Sequence, residues 1–240
     1  MSVPSLTTAV ILAGGAGTRI RQMYPDIPKP LIPIAGRPFL GWQIEWLRAQ
    51  GVTEVILSIG YRAEQIVAYF AEHPVTGVRV RPVVETEPLG TGGAIRFAAQ
   101  GISAPWAVIC NGDSLCPAPL AEMRAVAGRS GCRAVVLGSA MPDASDYGTV
   151  ESDAADRVTA FIEKGRRAGA GGVNAGVYLV DAAWARGFSG RVPLSVEREV
   201  FPAMAPGELL LCRTTAPFLD IGVPDRVVQA EEFFKRYFTP

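Results

Sequence analysis

The earliest informative stretch of the chain is an apolar run that breaks abruptly into glycine. Residues Ala9–Ala13 are continuously apolar, which predicts a short buried strand. Gly14, Gly15 and Gly17 follow, and glycines let the backbone turn sharply and bring its N–H groups close to a ligand. Arg19 then supplies a forked cation suited to phosphate oxygens. A strand, a glycine turn and a cation together predict a site for a polyphosphate.

A lysine held between two prolines adds a second cation to this stretch. Lys29 lies between Pro28 and Pro30, whose fixed φ angles stiffen the loop. The chain contains only three lysines against twenty arginines, so a retained lysine suggests a need for a compact ammonium group. We expect Lys29 to face the same ligand as the glycine turn.

Two better-known glycine motifs do not fit this stretch. A P-loop requires Gly-Lys-Ser/Thr, whereas Gly17 is followed by Thr18 and Arg19. A dinucleotide fingerprint that starts at Gly15 needs Gly or Ala at position 20, which is Ile20. The mismatch weakens the case for a dehydrogenase. For the glycines alone, an ordinary strand-to-helix turn remains the alternative.

Composition and charge exclude several classes of protein. The 240 residues carry a formal net charge of zero, without the basic excess of a nucleic-acid-binding protein. No apolar run reaches the roughly 18 residues that a membrane helix needs. The first eight residues lack the basic and apolar segments of a secretory signal, so we expect a cytoplasmic protein.

Histidine and cysteine usage argues against several kinds of site. His73 is the single histidine, which excludes His-rich metal sites and disfavours a Ser-His-Asp hydrolase. None of the four cysteines forms a C-x-x-C pair, so buried free thiols are expected rather than disulfides or a zinc site.

Strands and helices alternate through the first half of the chain, which predicts parallel pairing and a sheet covered by helices. The predicted strands are Thr8–Ala13, Glu54–Ile59, Val78–Val84 and Trp106–Cys110, and the predicted helices are Pro38–Gln50, Arg62–Glu72 and Ala94–Gln100. In the first helix, Trp42 and Trp46 recur at helical spacing, and this predicts a buried face rather than a ligand platform.

The pattern changes in the second half. A strand at Arg133–Ala140 precedes an antiparallel pair at Tyr147–Ser152 and Arg157–Lys164. Two helices are predicted after these, at Leu194–Met204 with Ser195 as its cap, and at Asp225–Phe238. Glu197 and Glu199 would occupy the favourable first turn of the earlier of these helices.

A carboxylate follows the strand that ends at Cys110. Asp113 would lie at the carboxyl end of a parallel strand, where sheets of this class bind ligands. Mg²⁺ prefers oxygen ligands and is commonly held by carboxylates beside phosphates. A simple turn residue is the alternative for this aspartate.

Taken together, these stretches resemble the sugar-1-phosphate nucleotidyltransferases, also called sugar-nucleotide pyrophosphorylases. The family pattern Leu-x-Gly-Gly-x-Gly-Thr-Arg, with a Lys-Pro about ten residues on, is complete here. The resemblance extends from Ala9 to about Phe233. The matching motifs are Leu12–Arg19, Lys29-Pro30, Leu89–Gly93, Gly112-Asp113, Tyr147-Gly148, Phe161–Lys164, Val173–Tyr178 and Phe218–Pro224.

The resemblance implies a Rossmann-like three-layer αβα sandwich with a mostly parallel, mixed central sheet (a GT-A-like nucleotidyltransferase fold). Residues 1–240 would form a single nucleotidyltransferase domain, nucleotide-binding to about residue 115 and sugar-phosphate-binding beyond. The implied reaction converts an NTP and a sugar 1-phosphate to an NDP-sugar and pyrophosphate with the help of Mg²⁺. The resemblance leaves open whether the protein forms a homo-oligomer.

The resemblance also implies roles for individual residues. Arg19, Lys29, Asp113 and Lys164 would be catalytic, and Asp113 and Asp220 would bind Mg²⁺. The nucleotide would contact Leu12, Ala13, Gly14, Gly15, Gly17, Thr18, Arg19, Lys29, Glu85, Gly90, Thr91 and Asp113. The sugar phosphate would contact Tyr147, Gly148, Glu163, Lys164 and Asn174. Gly165 replaces the proline that usually follows the Glu-Lys motif, and the loop at 165–172 is basic and expected to be flexible.

Glu85 leads to a hypothesis about the base. A carboxylate accepts two hydrogen bonds, and guanine offers N1–H and N2–H₂ on one edge, whereas adenine has no such pair. We therefore expect a preference for GTP.

Segments 36–40, 163–165 and 194–202 most resemble the D-glycero-α-D-manno-heptose 1-phosphate guanylyltransferases within the family. Hexose-1-phosphate or N-acetylmuramate-1-phosphate nucleotidyltransferases that use UTP, dTTP or CTP are the nearest alternatives. A non-catalytic sensor of nucleotide sugars is the alternative from another class.

Overall fold

A computed structural model describes residues 6–166 and 169–238, and among these the main sheet has nine strands. The strands of the chain are β1 (Thr8–Ala13), β2 (Pro33–Ile34), β3 (Arg37–Pro38), β4 (Glu54–Ile59), β5 (Arg79–Val84), β6 (Trp106–Asn111), β7 (Ser114–Leu115), β8 (Ala134–Met141), β9 (Thr149–Ser152), β10 (Val158–Ile162), β11 (Gly171–Asp181), β12 (Leu209–Thr214) and β13 (Leu219–Asp220). The α-helices are α1 (Phe39–Ala49), α2 (Ala63–Glu72), α3 (Gly90–Ala99), α4 (Leu120–Ala127), α5 (Ala182–Arg186) and α6 (Pro224–Tyr237).

The main sheet is mixed: its first-half strands pair in parallel, and β12 also runs parallel to β8 in the second half. Its order is β10-β9-β11-β6-β1-β4-β5, with β8 beside β11 and β12 beside β8. The pairs β6–β1, β1–β4 and β4–β5 are parallel, whereas β11 runs antiparallel to β6, β8 and β9. The expected mostly parallel, mixed sheet is confirmed.

Helices cover both faces of the sheet, as the alternating pattern predicts. Along β1, Ala9 and Ile11 face one core and Val10 faces the other, because successive side chains of a strand point to opposite faces. Helices α1, α2, α4 and α6 pack on the first face, and α3 and α5 on the second. The molecule therefore has the expected three layers.

Strand β1 has the central position among the parallel strands. It pairs with β4 on one side and β6 on the other. Ligands of open α/β sheets bind beyond the carboxyl ends of the strands. The glycine turn after β1 and the Asn111–Asp113 turn after β6 therefore lie side by side, and Gly112 N donates to Leu12 O over 2.9 Å.

The first helix has the buried face that its spacing predicts. Trp46 is buried, and Trp42 is partly buried and stacks on Phe234 of α6 with ring centroids 4.7 Å apart. Such ring contacts contribute beyond area burial alone. The prediction that these tryptophans belong to a packed face is confirmed.

The helix predicted at 94–100 begins earlier, at Gly90, so its glycines form the first helical turn rather than a loop before it. The chain near Leu194 approaches this turn closely. A Cβ on Gly90 would stand 2.5 Å from Leu194 O, and Gly92 N donates to that oxygen over 2.8 Å. Glycine is the residue type that permits this approach.

The continuous helix predicted at 194–204 is wrong. The structure has a π-helical turn at Val196–Val200 followed by a 3₁₀ turn at Phe201–Ala203. Pro202 lacks the N–H that an α-helix would need at that point. The predicted cap is correct, because the Ser195 hydroxyl accepts a hydrogen bond from Arg198 N over 3.2 Å.

Several further boundaries shift by one or two residues. The predicted antiparallel pair is β9 and β10, and Tyr147, Gly148, Glu163 and Lys164 lie just outside its ends. In the predicted loop at 165–172, residues 167 and 168 lie outside the described residues, as do residues 1–5 of the N-terminal segment. None of the helices in the described part of the chain combines the length and apolarity needed to span a membrane.

All four cysteines lie in the described residues and are free thiols, as expected. Cys110, Cys116 and Cys212 are buried, and Cys132 is partly buried. Burial raises the pKa of Cys116 to about 12 and those of Cys132 and Cys212 to about 11. Thiols held in this protonated form are poor nucleophiles, which agrees with a packing role.

Candidate active site

The twelve residues expected to contact a nucleotide all line one cavity of about 510 Å³ at the carboxyl end of β1. They come from the turn after β1, the Lys29 loop, Glu85 and α3, and the turn after β6. Further lining residues that the sequence did not predict are Pro30, Pro88, Leu89, Ala94, Asn111, Gly112, Pro193 and Gly222. With Pro193 and Gly222 included, the fold brings together six separate segments of the chain around one space.

Two of the glycines in the first turn are explained by close contacts. Gly17 has a φ of +56°, and a Cβ there would stand 3.1 Å from the Lys29 side chain. A Cβ on Gly14 would stand 2.5 Å from Oε1 of Glu85. The turn therefore packs directly against the two charged residues beside it, and a side chain at either position would displace them.

Glu85 is held at the edge of this cavity. Its Oε1 accepts a hydrogen bond from Ser58 Oγ at 2.8 Å, and its Oε2 accepts one from Leu89 N at 3.4 Å. Each carboxylate oxygen can accept more than one hydrogen bond. The fixed carboxylate therefore keeps acceptor capacity for a ligand.

The two candidate metal carboxylates are joined by a small sheet of their own. Strand β13 pairs antiparallel with β7, so that Asp220 lies opposite Ser114. Ile221 N also donates to Asp113 O over 2.9 Å. Residues 113 and 220 are thus neighbours although 107 positions separate them in the sequence.

Each of these carboxylates forms an ion pair with a basic side chain. Lys29 Nζ lies 2.7 Å from Oδ2 of Asp113, and Asp220 is paired with Arg226. Asp220 also accepts a hydrogen bond from Gly222 N over 2.7 Å. A Cβ on Gly222 would stand 3.9 Å from Lys29 Nζ, so the Lys29 ammonium lies close to both carboxylate loops.

The donor set suits Mg²⁺ better than a transition metal. Within residues 6–166 and 169–238, no three His, Cys, Asp or Glu side chains gather into a metal-binding group. Mg²⁺ is usually held by one or two carboxylates, with phosphates and waters as its other ligands. Asp113 and Asp220 provide such a pair, and beside them Oδ1 of Asn111 is buried without a hydrogen-bond partner.

The residues expected to bind a sugar phosphate lie next to the nucleotide cavity, with one exception. Tyr147, Gly148, Lys164 and Asn174 line a second cavity of about 750 Å³, which shares Arg19 and Asp113 with the first. Glu163 instead lines an adjoining cleft of about 1380 Å³, and its carboxylate accepts a hydrogen bond from Arg198 over 2.7 Å.

The ion pair between Glu163 and Arg198 lowers the pKa of the Glu163 carboxyl. Both side chains are about half exposed or more, so this pair contributes little to stability. The cleft also contains Gly148 and Asn174, and it therefore continues from the second cavity.

Gln43 is a functional candidate that the sequence interpretation missed. Its side chain is 1% exposed, and its Nε2 donates to Asn111 O and to Ser114 O, each over 2.7 Å. These carbonyls flank the turn that carries Asp113. A lone amide on the otherwise apolar buried face of α1 is the signal that could have found it.

A second missed group centres on Glu197. This carboxylate accepts hydrogen bonds from the hydroxyls of Thr91 and Tyr178, at 2.9 Å each, and of Ser195 at 3.1 Å. Asn174 Nδ2 donates to the Tyr178 oxygen over 2.9 Å. Burial, and secondarily the Glu197 charge, raises the pKa of Tyr178 well above its usual value. This network connects the N-terminal turn of α3 to β11, and thus the nucleotide side to the sugar side.

A match to a protein-family profile shows which family this chain belongs to. The Nucleotidyl transferase family profile matches residues 8–235. The chain belongs to that family. The resemblance of its motifs to sugar-1-phosphate nucleotidyltransferases is confirmed by this match together with similar relatives in bacteria and plants.

One relative, "D-glycero-alpha-D-manno-heptose 1-phosphate guanylyltransferase" of Campylobacter jejuni, is 35% identical over 90% of this chain and 95% of its own length. A second, "Probable mannose-1-phosphate guanylyltransferase 2" of Arabidopsis thaliana, is 36% identical over 90% of this chain. This chain spans only 62% of the length of the Arabidopsis protein.

The chain is also similar to a solved structure, HddC from Yersinia pseudotuberculosis. The two chains superpose with a TM-score of 0.87 at 33% identity, over 95% of this chain and 99% of HddC. A second HddC structure, complexed with GMP-PN, gives a TM-score of 0.86.

Proposed function

We propose that this protein transfers a guanylyl group from GTP to a sugar 1-phosphate, forming a GDP-sugar and pyrophosphate. The observation that carries the proposal is the shared wall of two cavities. The nucleotide-side and sugar-side cavities meet at Arg19 and Asp113, so that two phosphorylated substrates can approach one another there. The guanylyltransferase names of the relatives and the GMP-PN complex of HddC support GTP as the donor.

For the acceptor, we propose D-glycero-α-D-manno-heptose 1-phosphate. The support is the similarity to the Campylobacter heptose enzyme and to HddC along nearly their whole lengths. The comparable identity to the Arabidopsis mannose enzyme favours mannose 1-phosphate as the second candidate.

The chemistry requires charge neutralisation and positioning rather than a general base. A phosphate oxygen of the sugar 1-phosphate attacks the α-phosphorus of GTP in line, and pyrophosphate leaves. A phosphate monoester with a second pKa near 6 is largely ionised at neutral pH, so it needs no proton acceptor. Preorganised cations then lower the barrier as charge develops.

We assign these tasks to the charged residues that line the two cavities. Arg19 would hold the departing pyrophosphate, Lys29 the α-phosphate and Lys164 the attacking phosphate. Asp113 and Asp220 would hold Mg²⁺, which neutralises phosphate charge when bound. The Lys29–Asp113 contact of 2.7 Å fixes the lysine beside the proposed metal site.

Glu85 is the proposed reader of the base. Its carboxylate is anchored by Ser58 and Leu89 N and can still accept from N1–H and N2–H₂ of guanine. We expect Glu85→Gln to reduce the GTP-over-ATP ratio of kcat/KM by about tenfold or more, the cost of about one charged hydrogen bond. Glu87→Gln, at an exposed neighbour, is the matched control. An unchanged base preference in Glu85→Gln would refute this role.

The proposed function is tested by a screen for pyrophosphate release. The four NTPs are crossed with the 1-phosphates of heptose, mannose, glucose and N-acetylmuramate, with and without Mg²⁺. The fastest release is expected for GTP with the heptose 1-phosphate. GTP binding in a thermal-shift assay, combined with no release from any pair, would contradict catalysis and favour a nucleotide-sugar sensor.

A further inference from the structure

Arg226 is a fourth cation of the site, after Arg19, Lys29 and Lys164, and the expected family motifs do not assign it. It lies in the first turn of α6, and its side chain is 19% exposed. It lines the 750 Å³ cavity together with Arg19 and Lys164. A cation in the first turn of a helix is unfavourable for the helix dipole, so neighbouring groups must hold it there.

Those neighbours are two acidic residues and an aromatic ring. One guanidinium nitrogen, Nη1, binds Oδ2 of Asp220, and Nη2 lies 3.5 Å from Oδ2 of Asp146. The guanidinium carbon stands 4.3 Å from the centroid of the Tyr147 ring. Cation–π contacts of this kind hold an arginine in place without consuming its N–H donors. Arg226 therefore connects the proposed metal carboxylate to the sugar-side loop.

The contact with Asp220 conflicts with metal binding. Arg226 donates to Oδ2 and Gly222 N donates to Oδ1, so each oxygen already accepts one hydrogen bond and the guanidinium charge stands beside the carboxylate. A divalent cation that binds Asp220 must displace the Arg226 guanidinium or share the carboxylate with it. The cation and the guanidinium repel each other because both are positively charged. Tyr147 would keep the displaced guanidinium at the cavity wall.

Once it is released from Asp220, the Arg226 guanidinium has the right geometry to bind a phosphate group. Its forked donors can bind two phosphate oxygens at once, which a lysine ammonium cannot do in a fixed geometry. Lys164 and Tyr147, both on the sugar side, line the same cavity. The phosphate of a sugar 1-phosphate that enters there would meet both cations.

We propose that Arg226 exchanges partners during substrate binding: it neutralises Asp220 in the metal-free protein and binds the phosphate of the sugar 1-phosphate once a metal ion occupies Asp220. The proposal rests on the proposed function for the identity of the anion. It has a thermodynamic consequence, because the metal and the sugar phosphate then each tighten the binding of the other.

The test compares wild type with Arg226→Gln and Arg226→Lys. In calorimetric titrations with Mn²⁺ and no substrate, Arg226→Gln is expected to bind the ion several-fold more tightly, because the competing cation is gone. A merely structural arginine would leave Mn²⁺ affinity unchanged or weaken it. Arg236→Gln, at an exposed position in the last turn of the same helix, is the matched control and is expected to behave as wild type.

Steady-state kinetics provide the second readout. The KM for sugar 1-phosphate is expected to rise about tenfold or more in Arg226→Gln, as for the loss of one charged hydrogen bond, while the KM for GTP stays within about twofold. Arg226→Lys keeps the charge but loses the fork, so an intermediate KM is expected. Arg226→Lys can also be used for both measurements if Arg226→Gln fails to fold.

An unchanged KM for the sugar phosphate, or unchanged Mn²⁺ affinity in the folded variants, would overturn the proposal. Failure of the proposed function looks different, since wild type itself would then release no pyrophosphate. In that case the Mn²⁺ titrations still decide whether Arg226 competes with a metal at Asp220.

Discussion

The side-chain nitrogen of Gln43 lies 2.7 Å from the carbonyl oxygen of Asn111. The same nitrogen also donates to Ser114 O, on the far side of the turn that carries Asp113. Helix α1 thereby holds the turn in place from within the core. The position of one proposed metal ligand thus depends on a residue 70 positions earlier in the sequence.

We expect Gln43→Leu to destabilise the fold and weaken metal use together. The substitution removes the Gln43 hydrogen bond from two carbonyl oxygens, each at a cost of up to about 1–3 kcal/mol where the oxygen is buried. Urea unfolding measures the loss, and the Mg²⁺ concentration for half-maximal rate is expected to rise. Gln229→Leu, on the exposed face of α6, is the control. Lower stability with unchanged Mg²⁺ dependence would limit Gln43 to a packing role.

Lys29→Ala is expected to reduce kcat by about 10²–10³, the usual effect of losing one preorganised charge at a reacting centre. The variant also leaves Asp113 without its partner at 2.7 Å. Initial rates at saturating GTP, sugar 1-phosphate and Mg²⁺ measure the effect. Lys235→Ala, in the exposed last turn of α6, should keep normal rates. Near-normal turnover of Lys29→Ala would refute its assignment.

Glu197→Gln is expected to impair the sugar side more than the nucleotide side. A Gln side chain presents one acceptor oxygen in place of two, so it cannot satisfy the hydroxyls of Thr91, Ser195 and Tyr178 together. We expect kcat/KM for sugar 1-phosphate to fall about tenfold, as for the loss of about one hydrogen bond to a charged group. Glu232→Gln, at an exposed position of α6, is the control. Equal losses for GTP and sugar phosphate would contradict a sugar-side role.

The buried thiols are expected to make the fold less stable in alkali. The usual thiol pKa of 9.0 is raised to about 12 for Cys116 and to about 11 for Cys212. Between these values and 9.0, the unfolded chain loses thiol protons that the folded chain retains. The unfolded state then binds fewer protons, so stability falls as pH rises.

The loss is about 1 kcal/mol for each such thiol between about pH 8 and pH 10. Urea unfolding at the two pH values measures it. Cys116→Ala should lose less stability over this interval than wild type, whatever its absolute stability. An equal loss of stability over this pH interval in wild type and Cys116→Ala would argue against a raised pKa of the Cys116 thiol.

The first half of the fold could be predicted closely because its patterns are local. The bounds of β1 and β4 match the predicted strands, and the glycine turn, Lys29 and Asp113 meet around one cavity as expected. Each of these features is encoded by neighbouring residues: an apolar run, a glycine cluster or a polar residue at a strand end.

What the sequence did not predict depends on distant contacts. The segment around Leu194 breaks its helical pattern because it packs on the glycines of α3, about 100 positions earlier. Gln43 acts through carbonyl oxygens that no side-chain pattern identifies. Arg226 has one signal in the sequence, which is a cation in the first turn of a predicted helix. Its partners Asp146 and Tyr147, however, lie far away in the sequence.

The pairing of β7 with β13 has a consequence for how the enzyme is made. Asp113 leaves the ribosome 107 residues before Asp220. At synthesis rates of about 5–20 residues per second, this gap lasts about 5–20 s. During that interval the nascent chain already contains the glycine turn and Lys29, but only one of the two aspartates. The growing polypeptide therefore cannot complete its proposed metal site until the segment that carries Asp220 has been translated.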